Sequence, residues 1–136
     1  MPGRLLFGED GVWVVLVVNE HEADVLSGAG PTGPVAAAQA LLDRVEAVVV
    51  TLGAAGAVVH TRCTDPQQVS APKVSVVDTT GAGDTFTGVL AAGLAARAPL
   101  AEAAVRAVAA ASISTQRHGA VPSIPTAAQV DAQLAR

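Results

Sequence analysis

Tyrosine is absent from this sequence, and Phe7, Trp13 and Phe86 are its only aromatic residues. Any core must therefore be assembled from Val, Leu and especially Ala. Each such contact buries little area, so modest stability is expected. The single cysteine, Cys63, excludes an internal disulfide, and no Cys/His cluster has zinc-ligand spacing. Cys63 is expected as a small half-buried residue rather than a nucleophile. Eight scattered Lys and Arg against twelve Asp and Glu leave a net charge of −4. This argues against a nucleic-acid partner, which needs clustered cations to neutralise phosphates. Long apolar runs are missing as well. Val12–Val18 is far too short to span a bilayer, and the opening residues Met1–Asp10 carry no signal-peptide apolar stretch. The expectation is a soluble, cytoplasmic chain with no membrane partner.

What is present points to a single α/β domain. A chain of 136 residues fits one domain and hides roughly two-thirds of its unfolded surface. Val12–Val18 and Val45–Leu52 are continuous β-branched runs that suit strands buried on both faces. Between them, helices are expected from Asn19 to Leu26, stopped by Ser27–Gly30, and from Pro34 to about Arg44. Ala57–Thr61 should return as a strand after the turn Gly53–Gly56, forming a hairpin. Asp65–Gln68 reads as a polar loop, and Val74–Val77 as a further strand ending at Asp78. Helices follow over Asp84–Arg97 and Leu100–Arg117, with Gly119 in place of a helix C-terminal glycine. A last helix opens at Thr126, where Gln129 completes capping-box spacing. Strands alternating with helices indicate a largely parallel sheet, whose ligands bind at the C-terminal strand ends. That places candidate ligand contacts at Asn19–Glu22, Thr51–Gly56 and Asp78–Asp84.

The most informative segment is Val77-Asp78-Thr79-Thr80-Gly81-Ala82-Gly83-Asp84-Thr85-Phe86. Gly81 and Gly83 allow unusual backbone angles and close approach to a ligand. The amides that open the following helix lack intrahelical partners and form a ready anion site. The same amides and the helix dipole favour an ionised Asp84. A carboxylate beside an anion pocket can take a proton from an acceptor hydroxyl while a γ-phosphate is held in line. No Lys-Ser or Lys-Thr follows the glycines, so this is not a Walker loop. Local chemistry alone favours reading Asp84 as a plain helix N-cap after a flexible turn. It also reads Asn19 and Glu22 as a capping box, and Thr51-Leu52-Gly53-Ala54-Ala55-Gly56 as a plain hairpin turn.

The string Asp78–Phe86 resembles the second signature of the ribokinase-like (PfkB) carbohydrate kinases. Asn19-Glu20-His21-Glu22 resembles that family's Asn-x-x-Glu element, and Thr51–Gly56 its Thr-Leu-Gly-x-x-Gly nucleotide turn. The resemblance implies a ribokinase-like α/β fold with Asp84 as base and the amides of Gly81, Ala82 and Gly83 as anion hole. It places nucleotide contacts at Asn19, Thr51, Leu52, Gly53, Ala54, Ala55, Gly56, Gly83 and Asp84. Magnesium would be held near Glu22, through water. A monovalent cation, potassium, would lie among Asp78, Thr80, Ser114, Arg117 (by its carbonyl), Gly119 and Ser123. The implied activity is phosphoryl transfer from ATP to a ribose-like sugar or a nucleoside. His21, His60 and His118 are expected as surface or loop residues.

The resemblance covers only the later half of that family's fold. The first signature, the lid strands and most sugar contacts have no counterpart here, and Met1–Gly11 resembles nothing assignable. The chain is therefore expected either to act as a kinase or to serve as a nucleotide-binding module without transfer of its own. A complementing N-terminal half, or self-association, would then supply what is missing.

Overall fold

The computed structural model describes residues 14–28 and 30–136. Met1–Gly11, the first part of the Val12–Val18 run and Ala29 of the Ser27–Gly30 stop lie outside the described residues. Two compact units are present: one ends at Gly53 and resumes over Ala57–Gln68, and the other comprises Ala54–Gly56 with Val69–Arg136. No helix among the described residues is long and apolar enough to cross a membrane.

The first unit is a four-stranded sheet in the order β1-β2-β3-β4, with β1 at Val15–Asn19, β2 at Ala47–Thr51, β3 at Ala57–Thr61 and β4 at Thr64–Val69. The helices α1 (Glu20–Ser27) and α2 (Pro34–Leu41) connect β1 to β2. That crossover makes β1 and β2 parallel, in register from Val15↔Ala47 to Asn19↔Thr51. The Gly53–Gly56 turn then sends β3 back antiparallel to β2, so the sheet is mixed rather than largely parallel. Ala47, Val48, Val49 and Val50 are fully buried, as expected for a β-branched run in a central strand. The core joins Val18, Val48, Val50 and Val58 of the sheet to Ala23, Ala37, Ala38 and Leu41 of the helices.

Four local expectations are corrected in this unit. Asp65–Gln68 is not a loop but the body of β4. Its polarity and its proline suit an edge strand, where a missing N–H costs no ladder bond and charge discourages further pairing. Helix α2 stops at Leu41 instead of Arg44, where the Arg62 guanidinium takes the Leu42 carbonyl at 2.7 Å. Cys63 is exposed in the β3–β4 turn, whereas His60, expected at the surface, is buried within β3 with Nδ1 unpartnered.

The second unit consists of α3 (Ala82–Ala95), α4 (Leu100–Ser114) and α5 (Ala127–Leu134), preceded by an irregular segment. Val74–Val77 forms no strand. Val76 and Val77 are exposed, and the amides of Val77 and Asp78 both donate to the Thr115 carbonyl, at 2.7 and 3.0 Å, instead of to a ladder. Helix α3 starts two residues earlier than expected, and α4 ends at Ser114, not Arg117. Gly119 therefore does not terminate α4, although it has a left-handed φ of +85°. The Thr126–Gln129 capping box opens α5 as its spacing predicts. Helices α3 and α4 pack closely because Gly93 has no side chain: a Cβ there would stand 2.9 Å from that of Ala103.

Gly88, in the same helix, faces open space. Gly88→Ala is expected to stabilise the chain by about 0.8–1 kcal/mol through helix propensity. Gly93→Val should destabilise it by about 2 kcal/mol through overpacking. Urea unfolding of the two variants checks the pair.

Candidate functional site

In the first unit, the parallel pairing sets Asn19 directly beside Thr51 at the C-terminal ends of β1 and β2. Asn19 Oδ1 accepts the Glu22 amide at 2.8 Å, and Glu22 Oε1 accepts the Asn19 amide at 3.0 Å. The capping box thus exists, yet it uses only one oxygen of each side chain. The amide nitrogen of Asn19 and the second carboxylate oxygen of Glu22 take no part in it, so capping and ligand binding are compatible. Thr51 Oγ1 donates to the Val18 carbonyl at 3.4 Å, which ties the two strand ends together.

The glycines of the Thr51–Gly56 turn answer to different constraints. Gly53 starts a short 3-10 turn, Gly53–Ala55, at φ +58° in open space. Gly56, at φ +100°, is required by packing, since a Cβ would lie 1.8 Å from the Val69 carbonyl oxygen. Leu52, just before Gly53, is half-buried, while Ala54 and Ala55, between the two glycines, are exposed.

In the second unit, Gly81 is the N-cap of α3 in the left-handed region, φ +78°. Asp84 is therefore not a cap: it is the third residue of the helix, exposed, with no hydrogen bond to its carboxylate among the described residues. The Ala82 amide closes a turn onto the Thr79 carbonyl at 3.1 Å, so it is less available to an anion than expected. The Gly83 and Asp84 amides open the helix without an intrahelical acceptor. Gly83 is exposed, with nothing within 4 Å of where its Cβ would stand. The segment can therefore offer two amides and a free carboxylate to an anionic ligand.

Asp78 organises the approach to this turn. Its Oδ1 accepts both the Thr80 amide at 2.9 Å and the Thr80 hydroxyl at 2.6 Å, and its Oδ2 accepts the Gly119 amide at 2.9 Å. Ser114 and Ser123 are fully buried, and their hydroxyls donate to the Ala111 and Ala120 carbonyls at 2.7 and 2.5 Å. Their oxygens keep lone pairs, so the set Asp78, Thr80, Ser114, Arg117 carbonyl, Gly119 and Ser123 fits a monovalent cation chemically. Among the described residues, no group of three His, Cys, Asp or Glu could hold a metal. Glu22 alone fits the water-rich habit of magnesium, which needs few protein carboxylates.

Sequence reasoning missed three participants. Ala120 presses on Gly81, with its Cβ 2.9 Å from where a Gly81 Cβ would be. The Thr115 carbonyl pins Val77 and Asp78, and Thr85 Oγ1 is buried without a partner. Only Thr85 sits inside a recognisable motif; the others are brought close by the fold. An open cavity of about 930 Å³ in the first unit is lined by residues including Gln39, Asp43, His60 and Arg62, and shares none with the motif positions.

Residues 11–127 match the pfkB family carbohydrate kinases. Ribokinase of Schizosaccharomyces pombe is 41% identical over 129 residues, which cover 85% of this chain and 39% of that protein. Among solved structures, Arabidopsis thaliana ribokinase complexed with ribose and ATP matches with a TM-score of 0.81 at 35% identity, covering 92% of this chain and 41% of that one. Phosphofructokinase-2 from Escherichia coli in complex with potassium matches at 0.79 and 29% identity, covering 92% and 42%. The chain spans about two-fifths of the length of these relatives.

The Thr80 hydroxyl first, then the Gly119 and Thr80 amides, lower the Asp78 pKa from 3.8 to about 2. A depressed carboxylate pKa adds stability that is present above the unfolded value and lost as pH falls through the folded one. The difference in melting midpoint between the wild-type chain and Asp78→Asn is therefore expected to be full above pH 4 and to shrink between about 4 and 2. A pH series of thermal melts measures this.

Proposed function

The chain belongs to the pfkB family of carbohydrate kinases, and from that membership we propose that it carries the nucleotide and base side of an ATP-dependent sugar kinase. The acceptor is a hydroxyl of a ribose-like sugar or a nucleoside. The observation that carries this reading is the start of α3, where a left-handed glycine leads into open amides and a free carboxylate in the first turn.

In this reading the Asp84 carboxylate takes the proton of the acceptor hydroxyl. The resulting oxygen attacks the γ-phosphorus as its bond to the β–γ bridging oxygen breaks, and ADP leaves. The Gly83 and Asp84 amides, with the Gly81–Ala82 backbone shaping the turn, face the equatorial phosphoryl oxygens and stabilise their charge. Asn19 and the Thr51–Gly56 turn contact the nucleotide. Glu22 would hold magnesium through water, and the Asp78–Ser123 set would hold potassium. Magnesium, when bound, neutralises phosphate charge.

A second reading is favoured by the sheet edges. β4 ends the sheet with Asp65, Pro66 and two glutamines. Among the described strands β1 forms the other end, with Val15, Leu16 and Val17 half-buried and no charge or proline to discourage pairing. Such an edge suits a further strand. The chain would then be a nucleotide-binding module that transfers phosphate only with a complementing N-terminal half, or that self-associates through β1.

Asp84→Asn is expected to reduce turnover by about 10²–10⁴-fold, the usual contribution of a general base. The rise in melting midpoint with Mg-ADP should be largely kept. Normal turnover by the variant would remove Asp84 as the base. Nucleotide binding without turnover across a sugar and nucleoside panel would select the second reading.

A further inference from the structure

The open cavity of about 930 Å³ in the first unit is built from the end of α2 and the β3–β4 turn. Its size falls in the range of about 300–1,000 Å³ usual for small-molecule sites. Strand register places it at the far end of the sheet from the motif positions. His60 and Thr61 pair with Val48 and Ala47 at the start of β2, whereas Asn19 and Thr51 lie at the C-terminal strand ends. The wall is held in shape by the chain itself. Thr61 Oγ1 and Thr64 Oγ1 share a hydrogen bond of 2.7 Å across the turn, and the Cys63 amide donates to Thr61 Oγ1 at 3.3 Å. Arg62 Nε donates to the Leu42 carbonyl at 2.7 Å. That bond fixes the guanidinium and leaves the donors of its two terminal nitrogens for another acceptor.

Charges of both signs line this cavity without neutralising each other. Among the described residues Arg62 forms no ion pair with Asp43 or Asp65, and neither carboxylate accepts a hydrogen bond. His60 is 8% exposed on the same wall, and its Nδ1 has no partner, which is uncommon for a buried polar atom. Leu42 is the only aliphatic side chain in the lining, so an apolar ligand does not fit. Two carboxylates against one guanidinium repel a phosphate or a nucleotide. Among the described residues no group of three His, Cys, Asp or Glu could hold a metal. The class that matches is a small molecule with one charge of each sign.

We propose that this cavity is a second ligand site, for a small zwitterion of the α-amino-acid class. Its carboxylate takes the terminal nitrogens of Arg62, in the paired geometry a guanidinium favours, and its ammonium lies against Asp43 and Asp65. The site is separate from the motif positions and stands whether or not they bind a nucleotide.

Glycine, L-serine, L-asparagine and L-glutamine, each titrated alone into the whole chain, are the probes, followed by calorimetry and by NMR of the backbone amides. At least one is expected to bind and to shift the amides of residues 39–43 and 60–65, equally with and without Mg-ADP. N-acetylation of that amino acid removes the ammonium charge, and amidation removes the carboxylate. Each should weaken binding by about tenfold or more, the effect of losing one charged hydrogen bond, and Arg62→Gln should weaken it similarly. Asp65→Asn, at an exposed position of the edge strand, should weaken it by about two- to fivefold, as for an exposed ion pair. It carries the comparison if Arg62→Gln does not fold. Binding by none of the four, or equal binding of the N-acetylated form, would overturn the site. So would tighter binding of inorganic phosphate at the same amides, or shifts confined to residues 19–22 and 51–56 that Mg-ADP competes away.

Discussion

Gly81 stands at φ +78° with Ala120 pressed against the side where a Cβ would project. Two restrictions meet at this residue: a backbone angle that L side chains rarely adopt, and no room for a side chain in any case. Helix α3 can begin where it does because of that residue. Its first amides then emerge unpaired, and Asp84 falls in the first turn instead of at the cap. Had Asp84 been the cap, its carboxylate would have been spent on the helix's own amides. A left-handed glycine takes the capping position without a side-chain bond, and so the carboxylate remains free for chemistry.

The first unit solves a related problem differently. Asn19 ends β1, starts α1 and stands beside Thr51 in the neighbouring strand. Structural and ligand-binding roles compete for such a residue only if they need the same atoms. The capping box takes Asn19 Oδ1 and Glu22 Oε1, and the rest of both side chains lies outside it. The same motif can thus stabilise a helix and leave atoms for a ligand, which is why spacing alone could not choose between the two.

Poverty in aromatics shapes the packing of both units. Small side chains bring elements close together, as at Gly93 and Ala103, and at Ala37 and Ala38 behind the sheet. Close approach recovers dispersion contacts that small residues otherwise lack. It also leaves little tolerance for added volume, since well-packed interiors answer even one extra methylene with strain.

Strand, helix and turn chemistry were legible wherever they depend on neighbours in sequence. The buried β-branched run of β2, the β3 hairpin and the capping boxes at Asn19 and Thr126 all follow from local pattern. So did the Gly81–Asp84 turn and the family to which the chain belongs. Tertiary structure decided what depends on partners distant in sequence. Asp65–Gln68 is a strand because β3 offers it an edge, and Val74–Val77 is not one because its amides find the end of α4 instead. His60 is buried because β3 packs it inward. Asp78 has its partner in Gly119, and Gly81 in Ala120, through a loop about forty residues away. Local rules govern propensity and capping, but hydrogen-bond partners and burial are properties of the folded chain, and no single stretch of sequence carries them.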